Sequence, residues 1–419
     1  MILKCRVCNS QNIKNVISLG FTPLANAFLT KEQLDQPEEK FPLDLVFCAD
    51  CTLVQIVETV PPEKLFSSYF YVSSISQTTL DNAKALTEKV IGMMNLDGSS
   101  VVVEIGSNDG YLLKNYVEKG IKVMGFEPAK NIAEIANQAG IRTFNTFFDA
   151  ENAQLLNSKL KIDLDVDKRS RNFTVDVVHA NNVLAHVANL HSVIEGIKTI
   201  LSPNGVAIVE THYVKDLFDH NEFDCIYHEH LCYYSAHSIK KLFEIHGLIM
   251  TGIERIPIHG GSIRCYFRHA ETCLTKETVT DFLIEEENSG LLNIDHYRKL
   301  TQTVFELKKE LREVTQFIKE LKQKIVVYGA PAKSTTLLNL FGIDSSLIEY
   351  VVDATPQKQF HFTPGTHLPI YPPSMLATEP PDYCLLLTWN FADEIMAKES
   401  EFRAKGGKFI IPIPELKIV

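Results

Sequence analysis

Residues 101–113 read VVVEIGSNDGYLL, and this run decides the fold. A β-branched stretch ends on a carboxylate, Glu104, passes through a turn carrying Gly106 and Gly110, and enters a helical pattern. Gly106 lets a backbone approach a ligand closely, and the helix start after Gly110 offers N–H groups to a carboxylate or phosphate. A plain strand–helix turn has the same outline, so the next strand matters. KVMGFEP, residues 122–128, puts Glu127 and Pro128 about 20 residues beyond the loop, where a carboxylate accepts from both hydroxyls of a ribose. Further out, NIAEIANQAG, FTVDVVHANNV, a helix around residues 191–201, the turn Ser202-Pro203-Asn204-Gly205 and GVAIVET continue the alternation. Such a pattern predicts a parallel sheet covered by helices.

The turn selects between two cofactors. Dinucleotide enzymes carry G-x-G-x-x-G, whereas this turn is Gly106-Ser107-Asn108-Asp109-Gly110. It suits S-adenosylmethionine better, since that cofactor brings a methionine carboxylate and no pyrophosphate. The predicted donor site is Glu104, Gly106, Ser107, Asn108, Gly110, Glu127 and Pro128, with Asn181 and Asn182 of HANNVLAHV lining the methyl pocket. An NAD(P)-dependent sugar-nucleotide oxidoreductase stays open as the alternative, because Glu127 and two Rossmann-like starts fit it too.

Upstream, Cys5 and Cys8 form one C-x2-C pair and Cys48 and Cys51 a second. Two such knuckles complete a tetrahedral four-thiolate site with no open position, which predicts structural zinc; a redox CxxC is the competing reading. Pro61-Pro62 closes this module, giving a zinc domain over 1–60. A connector and helix over 61–95 open the methyltransferase-type domain, 61–255, and KIDLDVDKRSRN (161–172) reads as a charged surface insertion. After a long charged helical stretch near 295–323, KIVVYGAPAKSTTLLNLFG restarts the strand–turn–helix pattern. A second α/β domain over 256–419 follows, whose turn and Lys333 could hold phosphates without being a Walker motif. His259-Gly260-Gly261-Ser262 before the strand IRCYF is either a ligand-facing turn or a hairpin.

The catalytic candidate is YHEHLCYYS, 227–235, with Tyr227, His228, Glu229, His230 and Tyr233. A histidine beside a carboxylate serves as a general base, the carboxylate orienting the imidazole. A second metal site and a hydrogen-bonded structural patch are the other readings.

The totals bound the rest. A chain of 419 residues, 45% hydrophobic and 22% charged, supports two or three globular domains, and a net charge of −11 argues against nucleic acid as the partner. Neither a signal-type leader nor an apolar run of about 18 residues is visible. The expectation is a cytoplasmic protein with no membrane partner and a small-molecule substrate.

In order, the paired CxxC module, the stretch from Tyr69 to Ser73, EIGSNDGYLL, YHEHLCYYS and GAPAKSTTLLN resemble the sugar C-methyltransferases that act on nucleotide-linked 4-keto-deoxysugars, the TDP-sugar C-3′-methyltransferases among them. The resemblance spans essentially the whole chain. It implies a Rossmann-like S-adenosylmethionine domain between a zinc module and a C-terminal α/β domain. It also implies carbon methylation at C3 through an enolate, in deoxysugar biosynthesis. By the same resemblance His230 is the base with Glu229 beside it, while Tyr227, His186 and Tyr71, more than Tyr69, surround the sugar. The nucleotide diphosphate would lie on the turn holding Ala330, Lys333, Ser334 and Thr335. Ser334 stands where family members commonly carry glycine, which bears on the phosphate contact.

Overall fold

The computed structural model describes residues 3–66, 72–163, 174–272 and 277–419. Three sheets organise them. Strands β1 (Ile13–Thr22), β2 (Phe41–Cys48) and β3 (Val54–Ile56) form an antiparallel meander. Next come β4 (Val101–Ile105), β5 (Lys122–Phe126), β6 (Thr143–Phe144), β7 (Val175–Asn181), β8 (Leu201–His212), the short β9 (Cys232–Tyr233), β10 (Leu248–Ile256) and β11 (Ser262–His269). The C-terminal part holds β12 (Ile325–Tyr328), β13 (Val351–Val352), β14 (Ile370–Tyr371), β15 (Tyr383–Leu386), β16 (Lys408–Ile411) and β17 (Lys417–Ile418).

The central sheet runs β10-β11-β8-β7-β4-β5-β6. From β6 to β8 its pairings are parallel, and β11 is antiparallel to both of its neighbours. Dinucleotide folds have the strand order 3-2-1-4-5-6; here an antiparallel strand is inserted before the sixth. Val101, Val102 and Val103 are all buried, as expected where helices cover both faces of a sheet. Helix Gln77–Met94 buries Ala83, Leu86 and Val90 on one face. The stretch 202–205, expected as a turn, lies within β8, where the pairing with β7 shifts register. The boundary expected at 255/256 divides the hairpin of β10 and β11, and both strands belong to the central sheet.

The C-terminal sheet, β14-β13-β12-β15-β16-β17, is parallel apart from β17. Helix Ile294–Glu320 ties the parts together. Its buried residues, Tyr297, Leu300, Val304, Leu307 and Leu311, follow the three-and-four spacing of one helix face. Thr301 Oγ1 donates to Val16 O at 3.1 Å near one end, and Arg312 Nη1 donates to Phe341 O at 2.8 Å further along. Among the described residues, no helix is long and apolar enough to cross a membrane.

Candidate active site

The two cysteine pairs fold into matching knuckles. Asn9 and Thr52, each directly after a second cysteine, adopt left-handed backbone (φ 59° and 63°). Each donates its N–H back to the first cysteine's carbonyl, at 3.0 and 2.9 Å. This brings the Sγ atoms of Cys5, Cys8, Cys48 and Cys51 within 4.8 Å of one another, with Cys5–Cys51 at 3.4 Å and Cys8–Cys48 at 3.6 Å. Thiolates on one tetrahedral zinc, each about 2.3 Å from the metal, lie roughly 3.8 Å apart, so the donor set fits. All four positions are filled by protein, which leaves the metal a structural task.

The module so formed packs on the 227–235 stretch. β9, two residues beyond His230, pairs with β3 and completes the zinc module's sheet. His228 Nε2 bonds Pro42 O at 3.2 Å, and Thr52 Oγ1 meets Ser235 Oγ at 2.8 Å. Asn26 Nδ2 donates to both carboxylate oxygens of Glu229, at 2.8 and 3.0 Å. Glu229 therefore faces the zinc module and does not orient the neighbouring imidazole, because adjacent side chains in this turn point apart. Burial raises its carboxyl to about 7, against the Asn26 bond and the nearby charge of Lys358.

The donor loop lies at the C-terminal end of the central sheet. Gly106 has φ +63°, and a Cβ there would meet Val183 Cγ2 at 2.6 Å. Asn108 N donates to Glu127 Oε2 at 3.0 Å, and Ala129 N to Glu127 Oε1 at 2.8 Å. Asn145 Nδ2 donates to Pro128 O at 2.8 Å, fixing the end of β5. Asn182 N donates to Glu210 O at 2.7 Å, so Asn181 and Asn182 sit where β7 meets β8. Glu104 Oε2, Ser107 Oγ, Asp109 Oδ1, Asn181 Oδ1 and Asn182 Oδ1 are buried with no hydrogen-bond partner among the described residues. Native proteins seldom leave such atoms unmatched. Glu104 is raised well above the ordinary carboxyl range by burial, then by Asp109, Glu127 and Glu210. A ligand bearing an ammonium and a sulfonium relieves this crowding of acids, whereas a pyrophosphate would add to it. The residues present thus fit S-adenosylmethionine and oppose a dinucleotide.

Beside this loop stands a cluster of histidines. His230 Nδ1 lies 2.9 Å from Cys225 O, so it carries the proton, and the neutral ring's Nε2 accepts from the Tyr227 hydroxyl at 2.9 Å. His186 uses Nδ1 on Glu229 O at 2.7 Å, with its ring centroid 4.9 Å from His230. His212, the last residue of β8, lies 5.4 Å from His230, and His259 lies 5.8 Å beyond His212. Burial first, and then neighbouring histidines, push His230 well below its usual range and His212 down to about 3. The cluster is neutral near pH 7. His212 was not singled out from the sequence, and His259 was read only within a turn that was either ligand-facing or a hairpin: 47 positions separate them, and the pairing of β8 with β11 joins them. Tyr69, Tyr71 and most of the 161–172 insertion lie outside the described residues.

The C-terminal turn closes the site from the other side. Ala330 N donates to Asp353 Oδ2 at 2.7 Å, Ser334 Oγ to Gly329 O at 3.1 Å, and Thr335 Oγ1 to Ala25 O of the zinc module at 2.8 Å. These groups are engaged within the protein. Lys333 bonds Asn390 Oδ1 at 2.6 Å, 4.1 Å from the centre of the Trp389 ring, and its charge acts on His212, Glu222 and Asp224. Trp389 Nε1 donates to Asp224 Oδ2 at 2.7 Å. A cleft of about 330 Å³ lies between the domains, lined by Ser76 and Thr79, by Ile258 and His259, and by Trp389 and Asn390.

Fold and site together define a methyltransferase with a structural zinc module and a second α/β domain facing its catalytic end. Family models match along the chain: a zinc-binding domain over 5–66, a methyltransferase domain over 80–251, and a C-methyltransferase C-terminal domain over 257–414. Over 417 residues the sequence is 33% identical to the C-methyltransferase NovU of Streptomyces niveus, covering 99% of this chain and 96% of that one. The chain belongs to the C-methyltransferase family, enzymes whose methyl donor is S-adenosylmethionine. Among solved structures, the PH0226 protein of Pyrococcus horikoshii is similar over 51% of this chain and 100% of that one, at 12% identity and TM-score 0.36. Magnesium protoporphyrin IX methyltransferase of Synechocystis is similar over 45% and 83%, at 14% identity and TM-score 0.34.

Proposed function

We propose that the enzyme methylates C3 of a nucleotide-linked 4-keto-deoxysugar, and that deoxysugar biosynthesis is its setting. The observation that carries this reading is the neutral histidine cluster, which runs from His230 through His212 to His259 at the wall of a cleft that Trp389 and Asn390 line from the C-terminal domain, with Lys333 bonded to Asn390. A carbon nucleophile next to a ketone needs a base that starts neutral. His230 meets that need, with Nδ1–H fixed on Cys225 O and a lone pair on Nε2. The Tyr227 hydroxyl donates to that lone pair at 2.9 Å. The bound cofactor supplies an electrophilic methyl group. Buried Glu104, Glu127 and Asn181 would hold it at the sheet edge, away from water. Lys333 supplies a cation for the diphosphate, steadied by Asn390 and the Trp389 face. Ala330, Ser334 and Thr335 shape the turn that aims Lys333.

The test is incubation of the purified enzyme with S-adenosylmethionine and a panel of TDP- and GDP-4-keto-deoxysugars, with the product's methyl group located by NMR. A new methyl on C3 supports the reading. Transfer to oxygen, or to none of the panel while S-adenosylhomocysteine still binds, overturns it.

A further inference from the structure

Proton bookkeeping in the cluster raises a question about the ketone oxygen. When the C3 proton leaves, charge moves onto the C4 oxygen, and a fixed donor aimed at that atom lowers the barrier most. The neighbours of His230 are poorly placed to give one. The backbone carbonyls of Cys225 and Glu229 can only accept, so His230 and His186 both hold their protons on Nδ1 and turn an acceptor Nε2 to the site. Tyr227 directs its proton to His230.

His212 differs. It ends β8 at the catalytic edge of the sheet, half-buried, and among the described residues neither of its ring nitrogens makes a hydrogen bond. A neutral imidazole must carry one N–H, so His212 holds an uncommitted donor beside the base. Its ring centroid is 5.4 Å from that of His230. C3 and C4 are bonded neighbours, so a base for one and a donor for the other must be adjacent in this way.

The loop behind His212 is built to keep it there. His259, Gly260 and Gly261 all have positive φ (57°, 93° and 133°). A Cβ on Gly260 would meet Glu222 Oε1 at 2.5 Å, and one on Gly261 would collide with Asp216, itself paired with Arg255. Gly261 O accepts from Tyr213 N, the residue after His212, at 3.1 Å. Strained backbone persists where surrounding structure over-determines it, commonly at functional sites. The His259 ring centroid lies 5.8 Å from that of His212.

We infer that His212 is a second catalytic residue, donating its ring N–H to the C4 oxygen of the substrate while His230 takes the C3 proton. This rests on the keto-sugar reading above. The C3–H electron pair becomes the enolate double bond, the proton goes to His230 Nε2, and the C4 oxygen's charge is held by the His212 N–H without proton transfer. Carbon attack on the methyl group then breaks the sulfur–methyl bond, restores the C4 carbonyl and leaves neutral S-adenosylhomocysteine. His230 returns its proton to solvent. The neutrality of His212, maintained by burial and by His259, His186 and Lys333, keeps its N–H from protonating the enolate oxygen outright.

The test separates enolisation from methyl transfer. C3–H exchange of a TDP-4-keto-deoxysugar in D2O is followed with S-adenosylhomocysteine in place of the donor, for wild type, His212→Leu, His212→Gln and His230→Ala. The expected result is a loss of exchange of roughly 100-fold in His212→Leu, a smaller loss in His212→Gln, whose amide still donates, and unchanged affinity for S-adenosylhomocysteine. Exchange in both His212 variants within threefold of wild type overturns the inference. Equal losses in the two, with cofactor binding intact, also overturn it, since they would mark a packing role. Leucine replaces a ring that makes no hydrogen bond; should that variant nevertheless fail to fold, His212→Gln decides alone, by full retention or partial loss of exchange. If wild type exchanges no substrate of the panel, the keto-sugar reading fails instead, independently of His212.

Discussion

The two strand–turn–helix loops of this enzyme look alike and are used differently. Each follows the first strand of a parallel unit, and in each a carboxylate from the next strand's end accepts a loop amide. Glu127 takes Asn108 N at 3.0 Å, and Asp353 takes Ala330 N at 2.7 Å. Around the first loop, five buried oxygens of Glu104, Ser107, Asp109, Asn181 and Asn182 have no partner among the described residues. In the second, Ser334 and Thr335 are bonded to Gly329 and Ala25, and Lys333 lies over Trp389 and bonds Asn390. A Rossmann-like turn is thus not a ligand site by virtue of its shape. The polar atoms that the fold leaves unmatched distinguish the two: they gather around the first loop, whereas the hydroxyls of the second are bonded within the protein.

Removing the zinc module's support should disturb the second loop and the 227–235 stretch at once. The zinc module touches the catalytic stretch through Asn26 and the second loop through Ala25. Metal release at a structural site is coupled to unfolding. Cys48→Ser is expected to lose zinc, measured by atomic absorption, together with several kcal/mol of stability and nearly all turnover. Retained zinc would show that the four thiolates are not the ligand set.

Gly106→Ala strikes the first loop alone. Side-chain strain at φ +63° and the contact with Val183 should weaken S-adenosylhomocysteine binding roughly 10- to 100-fold, as expected for 1–3 kcal/mol of backbone strain. Lys333→Ala strikes the second. It should raise KM for a nucleotide sugar about 10- to 100-fold, the range for one charge-assisted bond, with little change in cofactor affinity. Ser334→Ala sharpens the contrast. Losing the bond to Gly329 O should cost about 1 kcal/mol in thermal or urea unfolding while leaving KM within about twofold.

A pH-dependent effect concerns Glu229. Its carboxyl rises from an ordinary 4.5 to about 7 on burial, so between these values the folded chain keeps a proton that the unfolded chain gives up. The stability this contributes is complete below about 4.5 and is lost as pH rises through about 7. Glu229→Gln should flatten the fall of Tm over that window, in calorimetric scans of both proteins.

Legibility followed sequence distance. The four cysteines, the carboxylates at the ends of β4 and β5 and the sheet's alternation were readable because each rests on local spacing. The orientation of Glu229 was not, since a partner 203 residues away holds it. Nor were His212 and His259 readable as neighbours of His230, because that adjacency is created by strand order in the central sheet. That β11 returns into the central sheet across the 255/256 division depends on a tertiary pairing with β8 that no local pattern carries.

The most direct test of the division of labour between the loops is calorimetric titration of Gly106→Ala and Lys333→Ala with S-adenosylhomocysteine, and separately with TDP and GDP. The account predicts a crossed result: Gly106→Ala loses the cofactor and keeps the nucleotide, and Lys333→Ala does the reverse. Equal losses of both ligands in either variant, or full cofactor affinity in Gly106→Ala, would contradict it.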